Sequence, residues 1–230
     1  MDIATAVATI VDYICRNSAG LLRQLGGGLV VETSYMQTSD RCLESYFTVP
    51  SVISSSSNWK VVLTCSNTLK SGNGFAGLVT DGSCHFDDPT WGSFRIFTSQ
   101  TNWYCDTGPS VRDADGRIYI TYADAVGGID NVVTVTRTRT AMNVSLADGT
   151  TKSATGYSSR TSFDFLHLFK TEGTTTNTRR IYGLKIYDGS SLLYDYVPGT
   201  CQGRPCWLDK VSDRVYFLPK QSDDSLFTVG

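Results

Sequence analysis

The chain has 230 residues and a formal net charge of -2, and only 18% of its residues are charged. That length suits a single core-bearing domain able to bury roughly 70% of its unfolded surface. The lack of any run of one charge sign leaves no electrostatic footprint for nucleic acid or an anionic membrane.

The chain opens with "MDIATAVATIVDYICRN", its longest apolar stretch. Asp2 and Asp12 interrupt it, which argues against a membrane span, and it lacks the basic start and small-residue cleavage site of a secretory signal. The expectation is a protein made in a cytoplasm and not exported. Seven cysteines leave at least one thiol unpaired within the chain, which suits a reducing compartment. Ile3, Val7, Ile10 and Ile14 recur at helical spacing, and Leu21, Leu22 and Leu25 resume the stripe after Arg16-Asn17-Ser18. Residues 1–28 are therefore predicted as an amphipathic helix closed by a Gly26-Gly27-Gly28 hinge. The stripe has two uses: packing on its own domain, or a docking or oligomerisation seam of Ile3, Val7, Ile10, Ile14, Leu21 and Leu25.

Residues 29–230 switch to a period of two. "LVVETSY", "WKVVLTC", "GFAGLVT", "SFRIFTS", "GRIYITYA", "NVVTVTRT" and "MNVSLADG" are separated by Gly, Asn, Asp and Ser turns, and "SFDFLHLF", "RIYGLKIY", "LLYDYV" and "RVYFL" follow. About twelve strands without intervening helices predict an all-β antiparallel sandwich or barrel. Thr171–Thr178 is too polar for core and is expected as an exposed loop. In "RRIYGLKIYDGSSLLYDYVPG", Tyr182, Leu184 and Ile186 alternate with Lys185 and Tyr187. Leu192, Tyr194 and Tyr196 make a matching stripe across an Asp188-Gly189 turn. Trp59 and Trp207 sit in strand-like or core-like contexts and are expected to pack.

The order of this ending carries a resemblance. Lys185-Ile186-Tyr187, Tyr194-Asp195-Tyr196-Val197-Pro198, Trp207-Leu208-Asp209-Lys210 and Val215-Tyr216-Phe217 resemble the C-terminal end of LamG-like jelly-roll domains. These belong to the concanavalin A-like lectin/glucanase superfamily, and the version most similar occurs in tailed-phage virion proteins and gut-bacterial surface proteins. The resemblance implies a concanavalin A-like jelly roll. It leaves out the N-terminal segment and the cysteine-bearing "GTCQGRPC", where Cys201 and Cys206 are read as two free thiols in a loop or as a bridge across a turn.

Candidate chemistry is sparse. Glycosidases on this fold need paired carboxylates beside one bond, and Glu32, Glu44 and Glu172, the only glutamates, are far apart in sequence. Asp164 and His167 form an acid–base candidate, but their odd spacing places them on opposite faces of a strand. "CHFDD", with Cys84, His85, Asp87 and Asp88, offers metal ligands with nothing to complete them in a chain of two histidines. "RDADG" has part of a calcium-loop pattern with its glycine misplaced. No catalytic residue, metal or cofactor is assigned; calcium, known in the wider superfamily, stays open by resemblance alone. Glycan binding is what the chemistry supports. Trp91, Trp103 and Tyr104 lie in loop-like segments near Asp87, Asp88, Asn102 and Asp106, where rings would stack on sugar faces and polar groups would meet hydroxyls. The alternative is that both tryptophans fill the sandwich edge.

The expected function is a non-enzymatic structural component of a phage virion, a capsid-attached fibre or decoration or a tail or receptor-binding protein, assembled in the host cytoplasm. It would be a homo-oligomer among other virion proteins and bind a cell-surface glycan. The alternative is a lectin-like adhesion module at a bacterial cell surface.

Overall fold

A computed structural model describes residues 22–25, 28–38, 45–53, 58–68, 76–81, 94–98, 102–106, 117–121, 130–138, 140–155, 163–170 and 178–230. Its strands form two antiparallel sheets facing each other across one core. The larger runs β1 (Leu22–Leu25), β2 (Gly28–Glu32), β15 (Ser191–Cys201), β14 (Thr178–Asp188), β5 (Trp59–Thr68), β10 (Asp130–Arg137), β11 (Ala141–Ser145) and β12 (Thr151–Thr155). Attached to that path are β3 (Met36–Thr38), β16 (Arg204–Asp209), β17 (Arg214–Phe217) and β18 (Thr228–Val229). The smaller sheet runs β4 (Phe47–Ile53), β13 (Phe163–Leu168), β6 (Ala76–Thr80), β7 (Arg95–Thr98), β8 (Asn102–Asp106) and β9 (Arg117–Thr121).

Alternation does the sorting. On β5, Trp59, Val61, Leu63 and Cys65 are buried, while Lys60 stands on the other face with its ammonium 4.0 Å from the centre of the Tyr187 ring. Across the core, Trp59 meets Phe94 and Phe163 edge-on at 5.3 and 5.6 Å. Trp207 is fully buried beside Phe47. Both tryptophans pack as expected.

The β14–β15 hairpin forms where its pattern places it, with two adjustments. Gly189 takes φ +57° as the first of two turn residues between the paired Asp188 and Ser191, so Asp188 ends the strand rather than turning. A register shift between Ile181 and Gly183 changes which face is inward. Arg179 and Ile181 are buried before it, Leu184 and Ile186 after it. Tyr182, expected beside Leu184, instead packs edge-on to Tyr35.

The start of the chain departs from expectation. Leu22–Leu25 is a strand, paired with Leu29, Val30 and Val31 and closing at Leu25–Gly28, so these residues and the seam's Leu25 are not helical. Glycines that end a helix also permit a tight reversal, and a short segment gains more from a ladder than from helix it must nucleate. The sheet thus begins before residue 29. Residues 1–21, with Ile3, Val7, Ile10, Ile14 and Leu21, lie outside the described residues, as do 171–177 of the predicted loop; Thr178 opens β14. The cysteine-bearing segment is no loop. Gln202 and Gly203, both at positive φ, join β15 to β16 in a tight hairpin of the primed kind. Cys201 and Cys206 are unbridged and buried with Val30 and Leu208 in a small second cluster. Burial and the neighbouring Cys201 push the Cys206 thiol up to about 12.

Candidate functional site

The register of the smaller sheet sorts its residues into rows. Phe47, Leu168, Val79, Ile96, Cys105 and Ile118 are successive partners across β4, β13, β6, β7, β8 and β9. One residue along, the partners are Thr48, His167, Thr80, Arg95, Asp106 and Arg117. The first row is apolar where its side chains are described and faces the core. The second, one residue out of phase, belongs to the sheet's other face. It is a polar row crossing the whole sheet.

His167 is its best-defined member. It is 8% exposed and shares a 3.0 Å hydrogen bond between Nδ1 and Thr48 Oγ1. The Tyr46 ring meets it edge-on at 4.5 Å and Phe165 lies tilted at 5.1 Å. Lys170 holds its ammonium 4.9 Å from the centre of the Tyr46 ring. Burial, and then the charge of Lys170, lower the His167 pKa to about 4, so the imidazole is neutral at pH 7. Along the same face of β4, Val52 is 56% exposed, and Phe165 on β13 is 43% exposed. Aromatic and aliphatic surface thus borders hydrogen-bonding groups, the combination that holds a sugar's C–H face and its hydroxyls together.

Local sequence explains the arrangement. In "FDFLHLF", Leu166 and Leu168 enter the core and fix His167 to the opposite face. A register shift between Phe163 and Phe165 leaves both Asp164 and Phe165 exposed. Phe165, Tyr46 and Lys170 were not singled out from the sequence. The flanking leucines were the signal that would have placed the histidine outward.

The aromatic rim expected elsewhere is corrected in part. Asn102, Trp103, Tyr104 and Asp106 belong to β8, hydrogen-bonded between β7 and β9, and not to a loop, because a short strand needs little sequence signal once both neighbours supply partners. Asp106 falls in the polar row. Trp91, Asp87 and Asp88 lie outside the described residues, as do Cys84, His85 and "RDADG". Among the described residues no group of three or more metal-ligating side chains gathers.

No protein-family profile matches the chain, and no curated protein matches it in sequence. Solved structures do. The binding domain of botulinum neurotoxin DC, in complex with SialylT, aligns with a TM-score of 0.50 and 9% identity over 73% of this chain and 40% of that one. The botulinum neurotoxin type G receptor binding domain gives 0.49 and 11%, covering 75% and 43%. Mouse laminin alpha1 domains LG4-5 give 0.45 and 12%, covering 71% and 44%. The fold is a concanavalin A-like jelly roll. The chain spans less than half the length of these three structures, and at such identities the likeness concerns fold alone.

Proposed function

We propose that this chain is a non-enzymatic glycan-binding jelly-roll module whose site is the outward face of β4 and β13. The observation that carries the reading is the neutral, aromatic-flanked His167 in a polar row beside exposed Phe165 and Val52. Binding without turnover fits a sequence that lacks the carboxylate pair of a retaining or inverting glycosidase. The test is calorimetric titration of the full chain with a panel of neutral and acidic oligosaccharides. Binding is expected, and His167→Ala or Phe165→Ala should weaken it roughly ten-fold, the worth of one good ring contact or hydrogen bond. A panel without a single ligand overturns the reading, and hydrolysis of any bound sugar overturns its non-enzymatic part.

In its finer form the proposal makes the module part of a phage virion, presented on a homo-oligomer through residues 1–21, with a bacterial surface adhesin as the alternative. The resemblance of the C-terminal strands supports the first, as does the heptad-like spacing of Ile3, Val7, Ile10 and Ile14. Light scattering on the full chain tests the seam. The wild type should be an oligomer, and Ile10→Asp with Ile14→Asp should give a folded monomer, because each change replaces an aliphatic worth roughly 1.5–3 kcal/mol by a charge. A monomeric wild type refutes the seam.

A further inference from the structure

The outward face of the larger sheet carries an arginine built into a fixed pose. Register places Arg180 on β14 between Gln37 on β3 and Ser66 on β5. Arg179 and Ile181 on either side are buried, as are their partners Thr38 and Met36, so Arg180 and Gln37 stand on the face away from the core. The guanidinium is held twice. It lies over the Tyr35 ring, 4.4 Å from the ring centre, and its Nε donates to Gln37 Oε1. Tyr182 packs edge-on against the same Tyr35 ring at 6.1 Å. The forked end, Nη1 and Nη2, has no partner among the described residues and is not shut off from solvent.

The carboxylates that would cancel this charge are engaged elsewhere. Glu32 pairs with Lys210, Asp195 with Lys185 and Asp224 with Arg204. Asp130 falls two strands along the row through Ser66, about 10 Å away at the usual strand spacing. The Gly230 terminus, whose backbone pairs with that of Tyr35, makes no ion pair with Arg180 either. We propose that this fork is an anion subsite, which recognises one acidic sugar of a glycan lying over the outward face of the larger sheet. The class of ligand rests on the glycan-binding reading; the location is separate from the β4 and β13 face. A carboxylate or a sulfate ester presents two oxygens to Nη1 and Nη2, a match that an ammonium does not offer. Because Tyr35 and Gln37 already hold the guanidinium, little side-chain freedom is lost on binding. Sugars beyond the acid meet Thr64 on β5 and the cross-strand pair Thr134 and Ser145 on β10 and β11, within about 15 Å of Arg180 along the strands. Their neighbours Leu63, Cys65, Val133, Val135, Val144 and Leu146 are buried, which turns these hydroxyls outward, and among the described residues they are unengaged.

The experiment titrates the full chain by calorimetry with a uronic-acid tetrasaccharide, with the same compound after its carboxyls are reduced to alcohols, and with the reduced compound carrying sulfate esters. The uronate, the sulfate ester or both should bind about ten-fold more tightly than the reduced compound, the worth of one charge-assisted contact, and which of them does so identifies the anion. Arg180→Met, which keeps an unbranched chain over Tyr35, should bring the acid down to the affinity of the reduced compound. Gln37→Glu should do the same with the arginine still in place, because the new carboxylate competes for the guanidinium. Phe165→Ala, on the other sheet, should leave the preference for the acid unchanged, and circular dichroism of each variant checks that the sandwich is intact. Acidic compounds that bind no more tightly than the reduced one, or a preference that survives in both Arg180→Met and Gln37→Glu, overturn the subsite and leave the glycan-binding reading standing. A preference lost in Phe165→Ala and kept in Arg180→Met puts the acid on the smaller sheet and overturns the subsite as well. Absence of binding to every compound overturns both.

Discussion

His167 shows how one residue's surroundings set a measurable property of the protein. In an unfolded chain its imidazole titrates near 6.5, whereas in the fold burial and Lys170 hold it at about 4. Between those values the unfolded chain binds the proton and the folded chain does not. This contribution is therefore intact above pH 6.5 and is lost as the pH falls towards 4, by roughly 2–3 kcal/mol across the window. His167→Gln, which keeps a polar group opposite Thr48, should flatten the decline in melting temperature between pH 7 and 4.5. The carboxyls of Asp148 and Asp223 are held below their ordinary range by hydrogen bonds from Thr150 and Ser45. Their stabilisation is lost only at more acid pH, so the difference between wild type and variant isolates the histidine. A wild type whose melting does not change over this window, or a slope that persists in the variant, contradicts this account.

At the scale of elements, legibility followed the strength of the alternation. β5, β10, β14 and β15 carry long period-two stripes and formed where those stripes lie. β4 was overlooked because Pro50 interrupts "FTVPSVI", yet a proline is tolerable in the edge strand of a sheet, where no second ladder needs its missing N–H. Its carbonyl is put to use, accepting a hydrogen bond from the Tyr196 hydroxyl of the opposite sheet. β12, "TKSAT", has no apolar stripe because it too lies at an edge, where polar residues discourage pairing with another chain. Trp207, Leu208 and Asp209 end β16. Asp209 closes the turn that follows, its carboxylate accepting from the Val211 amide and the Ser212 hydroxyl. The candidate site was hidden for a related reason. His167 is recognisable only when its leucine neighbours are assigned to the core, and Tyr46 and Lys170 reach it from beyond the strand ends. No local pattern reports such a meeting.

For the whole molecule, the two sheets must keep one mutual placement, because the site on the smaller sheet depends on how β13 ends. Arg179, 1% exposed on β14 of the larger sheet, reaches across the core. Its Nη1 donates to the carbonyls of Gly77 and Phe169 at 2.9 Å each. Phe169 takes φ +68°, uncommon for a residue with a side chain, while its amide donates to the Leu78 carbonyl. That conformation ends β13 and sets the path of the chain into Lys170. Exchanging a buried charge for an aliphatic is often neutral when its partners leave with it. Here both carbonyls would stay behind and lose this donor, so Arg179→Met should cost roughly 2–4 kcal/mol. Chemical denaturation measures it as a lower midpoint with an unchanged slope, the sign of lost stability rather than an altered unfolded state. A midpoint equal to the wild type would mean that the two carbonyls find other donors. If the midpoint falls, glycan affinity measured under folding conditions should fall too, because Arg179 fixes the residue beside Lys170 without touching the sugar. A variant that loses stability and keeps full affinity would show the end of β13 to be held independently of the larger sheet.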